Sequence, residues 1–262
     1  MEKELRGKVA LIGGASKGLG FGCAEALAKN GANIILVARN AESLKLAASK
    51  LQPYNVELLT ISADIAGKQA NEQMVQEAIE KFGRIDILIN NNGGPKAGKY
   101  DTLTDEDYEA AFQSVLMYTI RLTKAVIPYM KKQGWGRIIN ITSLSVKEPA
   151  ETLILSNVFR AGVVAFAKSI SKELIQSHVT INNVCPGAFK TDRAKELIQN
   201  AALASHKSSE EIEAENVKKL PLGRYQQPDE LGSYIAYLCS SSASGITGTT
   251  LQIDGGISNG LF

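Results

Sequence analysis

The sequence predicts an α/β fold of the doubly wound type, in which a seven-stranded parallel sheet carries helices on both faces. Two observations predict it. Short apolar runs alternate along the chain with longer segments of helical spacing, which is typical of repeated strand–helix–strand units. Most of these runs are nearly continuous instead of alternating with polar residues, as expected when helices cover both faces of the sheet.

Seven apolar runs define the predicted strands. In chain order they are Val9–Ile12, Ile34–Val37, Val56–Ile61, Ile85–Ile89, Arg137–Thr142, Val179–Val184 and a last strand that begins at Thr249. We find no repeat, no linker and no break in composition. Residues 1–262 are therefore predicted to form one domain.

The segments between the strands carry helix signals. Thr104 and Asp107 fit a capping box that begins a long helix through Lys132, with a kink expected at Pro128. Another helix is predicted to begin at Pro228, which two acidic residues follow. Residues 192–220 are polar and helix-prone but only weakly apolar. We expect them to form a mobile surface flap over the substrate pocket.

The charge balance and the short apolar runs argue against two kinds of partner, nucleic acid and membrane. The chain has 29 basic and 27 acidic residues, and the basic ones are scattered, which argues against binding to nucleic acid or an anionic membrane. No apolar run approaches the roughly 18 residues that a membrane-spanning helix needs. The first residues do not resemble a signal peptide, so a cytoplasmic location is predicted.

The sequence predicts no metal site. Its three cysteines, Cys23, Cys185 and Cys239, are far apart and lack the spacing of thiolate ligands, so each is expected to be a small buried side chain. The two histidines, His178 and His206, lie in polar segments and are expected at the surface. Zinc sites built from two or three histidines are therefore disfavoured.

A glycine-rich turn follows the first strand and leads into a helical segment. Glycines let the backbone approach a phosphate, whose charge is attracted by free N–H groups at the start of the helix. The spacing differs from the G-x-G-x-x-G fingerprint, yet it indicates a nucleotide site. The predicted binding residues in this turn are Gly14, Ser16, Lys17, Gly18, Leu19 and Gly20.

Two other interpretations of this turn remain open. Gly14 to Gly18 also match the G-x-S-x-G nucleophile elbow of hydrolases, with Ser16 as the nucleophile. That elbow normally follows several strands and needs a histidine base, whereas this turn follows the first strand and both histidines are expected to be exposed. The turn could also be purely structural.

The residues after the second strand indicate which dinucleotide binds. A carboxylate near the end of this strand suits the ribose 2′-hydroxyl of NAD, whereas an arginine suits the 2′-phosphate of NADP. The chain has Ala38 followed by Arg39, and Lys17 supplies a second cation. We predict NADP in preference to NAD. The alternative is that both cations are ordinary surface residues.

On these motifs the sequence resembles the short-chain dehydrogenase/reductase family, and in particular its 3-oxoacyl-acyl-carrier-protein reductases. The glycine turn matches the family's TGxxxGxG turn, with Gly13 in place of threonine. The other matching residues are Asp64 and Ile65 at the adenine position, Asn90 to Gly93 as NNNG, Pro186, Gly187 and Thr191 at the nicotinamide end, and Gly248 to Gly256 at the last strand. The resemblance implies a Rossmann fold, a small-molecule substrate and a homo-oligomer, either a dimer or a tetramer.

The catalytic positions depart from the family's set of asparagine, serine, tyrosine and lysine. Ser143 keeps the serine, but Ser156 takes the tyrosine position, Arg160 the lysine position and Val115 the asparagine position. A serine hydroxyl is a much weaker acid than tyrosine, so Ser156 cannot simply inherit the role of proton donor. Arg160 could still hold the nicotinamide ribose. Ser143, Ser156 and Arg160 are the candidate catalytic residues.

Three functions remain open. The first is a divergent NADP-dependent oxidoreductase acting on a carbonyl or an alcohol, with Lys147, Glu148 or Tyr118 as an unconventional proton donor. The second is a cofactor-binding protein without redox turnover, which would act as a sensor, a scaffold or an inactive subunit. The third is non-redox chemistry in the same pocket. Apolar residues at 152–155 and 197–203 suggest a partly apolar ligand.

Overall fold

Seven parallel strands lie side by side in the computed structural model, which describes residues 4–261. The strands are β1 (Val9–Gly13), β2 (Asn33–Ala38), β3 (Leu58–Ser62), β4 (Ile87–Asn90), β5 (Gly136–Ile141), β6 (Val179–Pro186) and β7 (Thr250–Ile253). Their order across the sheet is β3-β2-β1-β4-β5-β6-β7. The order reverses between β1 and β4, and the carboxyl ends of these two strands border the crevice where doubly wound sheets bind ligands.

The connecting segments are helical. The helices are α1 (Gly18–Lys29), α2 (Ala41–Leu51), α3 (Lys68–Phe82), α4 (Asp105–Ala111), α5 (Tyr118–Gln133), α6 (Ile154–Leu174), α7 (Asp192–Ser205), α8 (Ser209–Lys218) and α9 (Pro228–Leu238). Side chains from α1, α2 and α9 form one apolar cluster with the sheet, and side chains from α3, α5 and α6 form another. The predicted doubly wound fold is confirmed.

Several predicted boundaries need correction. The third strand begins at Leu58 and the fourth at Ile87, each two residues later than predicted. The Thr104 capping box is present, but α4 ends at Ala111 and a π-helical turn, Phe112–Met117, separates it from α5. Pro128 lies inside α5. Periodicity alone did not reveal this change, because a π turn adds a residue without interrupting an apolar face.

The segment predicted to be a polar flap has regular structure of its own. Ser208 and Glu211 form a capping box at α8, and Ile198, Ala202 and Ile212 form a small apolar cluster between α7 and α8. These two helices are called the α7–α8 hairpin below. The sequence pattern understated them because short helices with one turn of apolar contacts have a weak stripe.

One helix is long and apolar enough, by length and composition alone, to cross a membrane, although it contains no continuous apolar run of that length. The segment Ile154–Ser177, which is α6 with the turn after it, has a mean hydropathy of 1.2 and is one third buried. In the fold, Leu155, Val163, Ala167 and Leu174 of α6 are buried. A helix that packs on a sheet meets the same criterion as one that spans a bilayer.

Candidate active site

The glycine turn joins the end of β1 to the start of α1 at the crevice. Gly14 has φ +56°, a conformation that a side chain would strain. A β-carbon on Gly20 would overlap the carbonyl oxygen of Gly14 and lie 2.7 Å from Nδ2 of Asn91. The chain therefore passes close to itself, and the first N–H groups of α1 face the crevice as a site for a phosphate.

The hydrolase interpretation of this turn needs a histidine beside Ser16, and neither of the two histidines lies there. His178 lies at the start of β6, which is the opposite edge of the sheet from Ser16, and His206 follows the end of α7; both histidines are exposed. Neither therefore stands beside Ser16 as a general base, which a nucleophile elbow requires. The predicted exposure of both histidines and the predicted burial of the three cysteines are confirmed.

The two cations predicted to face a 2′-phosphate have different surroundings. Arg39 is exposed just after β2, and within residues 4–261 its guanidinium has no hydrogen bond or ion pair. Nζ of Lys17 instead lies 3.0 Å from Oδ2 of Asp192, the first residue of α7. Arg39 is therefore available to an incoming anion, whereas Lys17 already has a partner.

Replacing Asp192 with asparagine is expected to tighten NADPH binding about 2- to 5-fold, because an exposed ion pair is worth roughly 0.2–1 kcal/mol. Lys17 would no longer have to leave a carboxylate to meet a phosphate. Titration calorimetry with NADPH and NADH measures the effect. Glu196→Gln is the matched control, since Glu196 pairs with Arg193 on the same helix. An equal gain from the control would contradict the prediction.

The two residues predicted to bind adenine follow β3. Asp64 is exposed, and its Oδ1 accepts a hydrogen bond from the main-chain N–H of Ala66 at 3.1 Å. Ile65 is half-buried, and its carbonyl accepts a bond from Nδ2 of Asn71 at 3.1 Å. These bonds fix the turn between β3 and α3, so both predicted adenine-binding residues lie on an ordered turn at the carboxyl edge of the sheet.

Three asparagines at one register of β4, β5 and β6 form a buried row. Nδ2 of Asn90 donates to Oδ1 of Asn140 at 2.8 Å, and Nδ2 of Asn140 donates to Oδ1 of Asn183 at 2.9 Å. All three are almost fully buried. Asn90 was predicted to bind the cofactor, but its amide lies inside the sheet, so only its main chain is left to face the crevice.

Gly13 and Tyr118 fill one space between β1 and β4. Tyr118 is buried, and its hydroxyl donates to the carbonyl oxygen of Asn91 at 3.4 Å. A β-carbon on Gly13 would overlap this hydroxyl and lie 2.6 Å from the same carbonyl oxygen. Gly13, at the family's threonine position, therefore leaves free the space that the Tyr118 hydroxyl occupies. Burial also raises the pKa of Tyr118, which makes it a poor proton donor.

The residues predicted at the nicotinamide end lie at the end of β6 and after it. The N–H of Gly187 donates to the carbonyl of Ile253 in β7 at 2.9 Å, which fixes the Pro186–Gly187 turn. Thr191 caps α7 by accepting from the N–H of Ala194 at 3.3 Å. Its methyl group would lie 3.7 Å from a β-carbon on Gly18, so this loop sits directly over the glycine turn. Gly93 is exposed after β4.

Three serines lie together after β5. Oγ of Ser143 accepts from the N–H of Ser145 at 3.1 Å, and Oγ of Ser145 lies 3.2 Å from Oγ of Ser156. Ser145 and Ser156 are buried, and Ser143 is half-buried. The hydroxyl at the family's tyrosine position is therefore engaged with Ser145 and does not extend into the crevice as a tyrosine would.

Arg160 holds the end of β5. Its Nη1 donates to the carbonyl oxygens of Ile141 and Thr142 at 2.6 and 2.9 Å, and the side chain is 7% exposed. Burial lowers the pKa of the guanidinium to about 10, which leaves it charged at neutral pH. Arg160 therefore positions the strand end that carries Ser143. Its contact with the nicotinamide ribose stays a prediction.

The residue at the family's asparagine position lies in the π turn before α5. Val115 is buried there, and its carbonyl accepts from Oγ1 of Thr119 at 2.8 Å. Asn92, the residue that replaces the alanine of NNAG, donates from Nδ2 to the carbonyl of Ser114 in the same turn. The loop after β4 is thus tied to the π turn by an amide that the family's alanine could not supply.

Two candidate proton donors, Lys147 and Glu148, lie between Ser145 and Ser156 in the chain. Oε1 of Glu148 accepts from Oγ of Ser258 at 2.7 Å and from the N–H of Gly260 at 2.6 Å. These bonds, the hydroxyl first, lower the pKa of Glu148 and keep it ionised. Lys147 is half-buried, and within residues 4–261 its ammonium has neither an ion pair nor a hydrogen bond. Of the two, only Lys147 carries a proton to donate.

Sequence reasoning missed several residues of this site. They are Asn91, Ser145, Tyr118 as the partner of Gly13, Asn140, Asn183 and Asp192. The asparagines left a signal, since each stands near the carboxyl end of an otherwise apolar strand, where an unpaired amide would be costly. Ser145 and Asp192 had no comparable signal, because their partners are far away in sequence or share an unremarkable polar segment.

Comparisons with known proteins were made on the whole chain. The family described as Enoyl-(Acyl carrier protein) reductase matches residues 14–258. The 3-oxoacyl-[acyl-carrier-protein] reductase FabG of Aquifex aeolicus is 31% identical over 258 residues, which cover 98% of this chain and all of the relative.

Two solved structures are similar over nearly their whole length. L-sorbose reductase from Gluconobacter frateurii, complexed with NADPH and L-sorbose, has a TM-score of 0.95 and 29% identity over 100% of both chains. An actinorhodin polyketide ketoreductase with NADPH has a TM-score of 0.92 and 32% identity over 97% of this chain and 98% of that one. Fold, glycine turn and relatives agree, and the chain belongs to the short-chain dehydrogenase/reductase family, an oxidoreductase family, as the sequence predicted.

Proposed function

We propose that this chain is an NADP-dependent reductase of carbonyl groups, with 3-oxoacyl thioesters as the substrate class. The observation that carries the proposal is the free guanidinium of Arg39 beside a glycine turn shaped for a phosphate. An exposed arginine at this edge fits a 2′-phosphate, whereas a site built for NAD places a carboxylate near the end of this strand, where the chain has Ala38. The FabG relative is named as a 3-oxoacyl-[acyl-carrier-protein] reductase, and both structural neighbours are complexes with NADPH.

Different residues at the crevice would bind different parts of the cofactor and the substrate. The first N–H groups of α1, over Gly18, Leu19 and Gly20, would hold the pyrophosphate, with Ser16 and Lys17 beside it. Asp64 and Ile65 would border the adenine. A bound NADPH supplies a hydride, with its electron pair, to the carbonyl carbon. The hydroxyl of Ser143 would orient the carbonyl oxygen, and Arg160 would keep that hydroxyl in place through the end of β5.

The rest of the predicted site belongs to the same proposal. Gly14 and the main chains of Asn90 and Gly93 would border the cofactor between β1 and β4, and the turn of Pro186, Gly187 and Thr191 would border its nicotinamide end. The α7–α8 hairpin begins directly after this turn. We propose that it covers a partly apolar substrate, since Leu197 and Leu203 are exposed on it.

A homo-oligomer and a cytoplasmic location also belong to the proposal. Val158 is 51% exposed on α6, a helix with only a third of its apolar segment buried in the chain. An exposed apolar helix face of this kind favours association with a second copy. Size-exclusion chromatography with light scattering tests the oligomer.

The second candidate function is cofactor binding without redox turnover. It is favoured by Ser156, whose hydroxyl is buried against Ser145 where the family places its acid. Both candidates predict NADPH binding, so binding alone does not separate them.

Turnover separates the two candidates. The purified protein is incubated with NADPH and a panel of 3-oxoacyl thioesters, ketones and quinones, and the absorbance of NADPH is followed. We expect slow oxidation of NADPH with 3-oxoacyl thioesters, because positioning of cofactor and substrate survives the loss of the tyrosine. Binding of NADPH without oxidation by any member of the panel would establish the second function and reject the first.

A further inference from the structure

We infer that Lys147 is the proton donor for carbonyl reduction in this chain. The inference rests on the proposed function and names the residue that replaces the family's missing acid. It begins from a requirement of the chemistry. As the carbonyl carbon accepts hydride, the electrons of the C=O π bond pass to oxygen, and the alkoxide that forms must take a proton.

The alternative donors are removed by their contacts. The hydroxyl of Ser156 is buried against Ser145, and that of Tyr118 is buried beneath the glycine turn on the carbonyl of Asn91. The carboxylate of Glu148 is an acceptor of hydrogen bonds from the C-terminal residues, which is the ionised form and not the acid. Each of these groups already has a hydrogen-bond partner within the protein.

Lys147 is placed where the reaction would occur. Ser143 caps the single helical turn Leu144–Val146, and Lys147 ends it, with its N–H donating to the carbonyl of Leu144 at 2.9 Å. Ser143 and Lys147 therefore stand at the two ends of one short helical turn. Glu148, the next residue, fastens this loop to the C-terminal residues, which limits the positions that Lys147 can adopt.

The charge of Lys147 also acts on a group at the strand ends. Cys185, at the end of β6, lies with its sulfur 3.2 Å from Oγ1 of Thr142, the residue before Ser143. Burial raises the pKa of the Cys185 thiol, and the charges of Lys147 and Arg160 oppose that rise. Both cations therefore lie close to the carboxyl ends of β5 and β6.

The proton balance closes with solvent. The N–H bond of the Lys147 ammonium breaks, an O–H bond forms on the product alcohol, and the neutral amine takes a proton back from water. Lys147 is half-buried and not sealed, so water can reach it. No oxidant or reductant beyond the reduced dinucleotide is required.

The test compares Lys147→Met and Lys147→Arg with the wild-type protein. Methionine removes the charge and the proton, whereas arginine keeps the charge but holds its protons too tightly to donate them. We expect both variants to lose turnover about 10²- to 10⁴-fold, the usual contribution of a positioned acid. NADPH affinity, measured by calorimetry, should be unchanged. Lys132→Met, at the end of α5 on the opposite edge of the sheet, is the control.

A readout independent of turnover is amine labelling followed by mass spectrometry. Lys147 should be labelled in the free protein and protected when NADPH and a 3-oxoacyl thioester are both present, while Lys132 is labelled equally in both states. Full activity of Lys147→Arg would show that only the charge matters and would overturn the inference, as would an active Lys147→Met or unprotected labelling. Those results leave the proposed function standing. Absence of turnover in the wild-type protein rejects both.

Discussion

Replacing Arg39 with alanine is expected to weaken NADPH binding about 10- to 100-fold, because a charge-assisted hydrogen bond to a phosphate contributes roughly 1.5–3 kcal/mol. NADH lacks the 2′-phosphate and should bind the variant as it binds the wild-type protein. The loss is expected to be large because the Arg39 guanidinium has no hydrogen-bond or ion-pair partner within residues 4–261 that it must leave to meet an anion. Calorimetric titration with both dinucleotides measures it.

Arg6→Ala is the control for this variant. Arg6 is also exposed, but it precedes β1 and so lies at the opposite edge of the sheet from the crevice. The control should bind both dinucleotides normally. Equal losses of NADPH and NADH affinity in Arg39→Ala would contradict a contact with the 2′-phosphate. If Arg6→Ala showed the same selective loss of NADPH affinity, the effect would come from the net charge of the protein and not from a contact of Arg39.

The second large effect concerns stability. Gly13→Ala is expected to lower the free energy of unfolding by about 3 kcal/mol, the upper part of the usual range for overpacking a core. The new β-carbon would meet the hydroxyl of Tyr118 and the main-chain oxygen of Asn91, and a main-chain atom cannot rotate away. Chemical denaturation monitored by circular dichroism measures the change.

A double variant separates the two contacts at Gly13. Tyr118→Phe removes the hydroxyl, so Gly13→Ala should be less destabilising in that background than in the wild-type protein. The remaining loss is due to the oxygen of Asn91. Purely additive effects would show that Tyr118 and Gly13 do not share this space. Tyr118→Phe alone loses only one long hydrogen bond of 3.4 Å and should change stability little.

The fold could be predicted because its signals are local. Each strand is a short apolar run such as Ile34 to Val37, and burial on both faces makes the run continuous. The π turn at Phe112–Met117 and the boundaries of the two helices in the α7–α8 hairpin could not be predicted, for different reasons. The first preserves the apolar face of its helix, and the hairpin has too few buried residues to produce a clear period.

The candidate site was predictable in outline and not in its pairings. Glycine spacing, Arg39 and the altered catalytic positions are all legible in the sequence. The ion pair between Lys17 and Asp192 is not, because nothing local distinguishes one exposed lysine or aspartate from another. The sequence also did not distinguish Lys147 from Glu148 as proton donors. The difference arises because the C-terminal residues 258–260 donate hydrogen bonds to Glu148 and not to Lys147.

The α7–α8 hairpin has a consequence for how this protein can diverge. Its buried apolar residues, Ile198, Ala202 and Ile212, pack against one another and against Tyr225 before α9, apart from the two clusters that hold the sheet. Under the proposed function, substitutions there would alter ligand preference while the two apolar clusters around the sheet keep their side chains. Residues 192–218 could therefore be replaced as a unit without changing either cluster around the sheet, and under the proposed function such a graft would exchange substrate specificity.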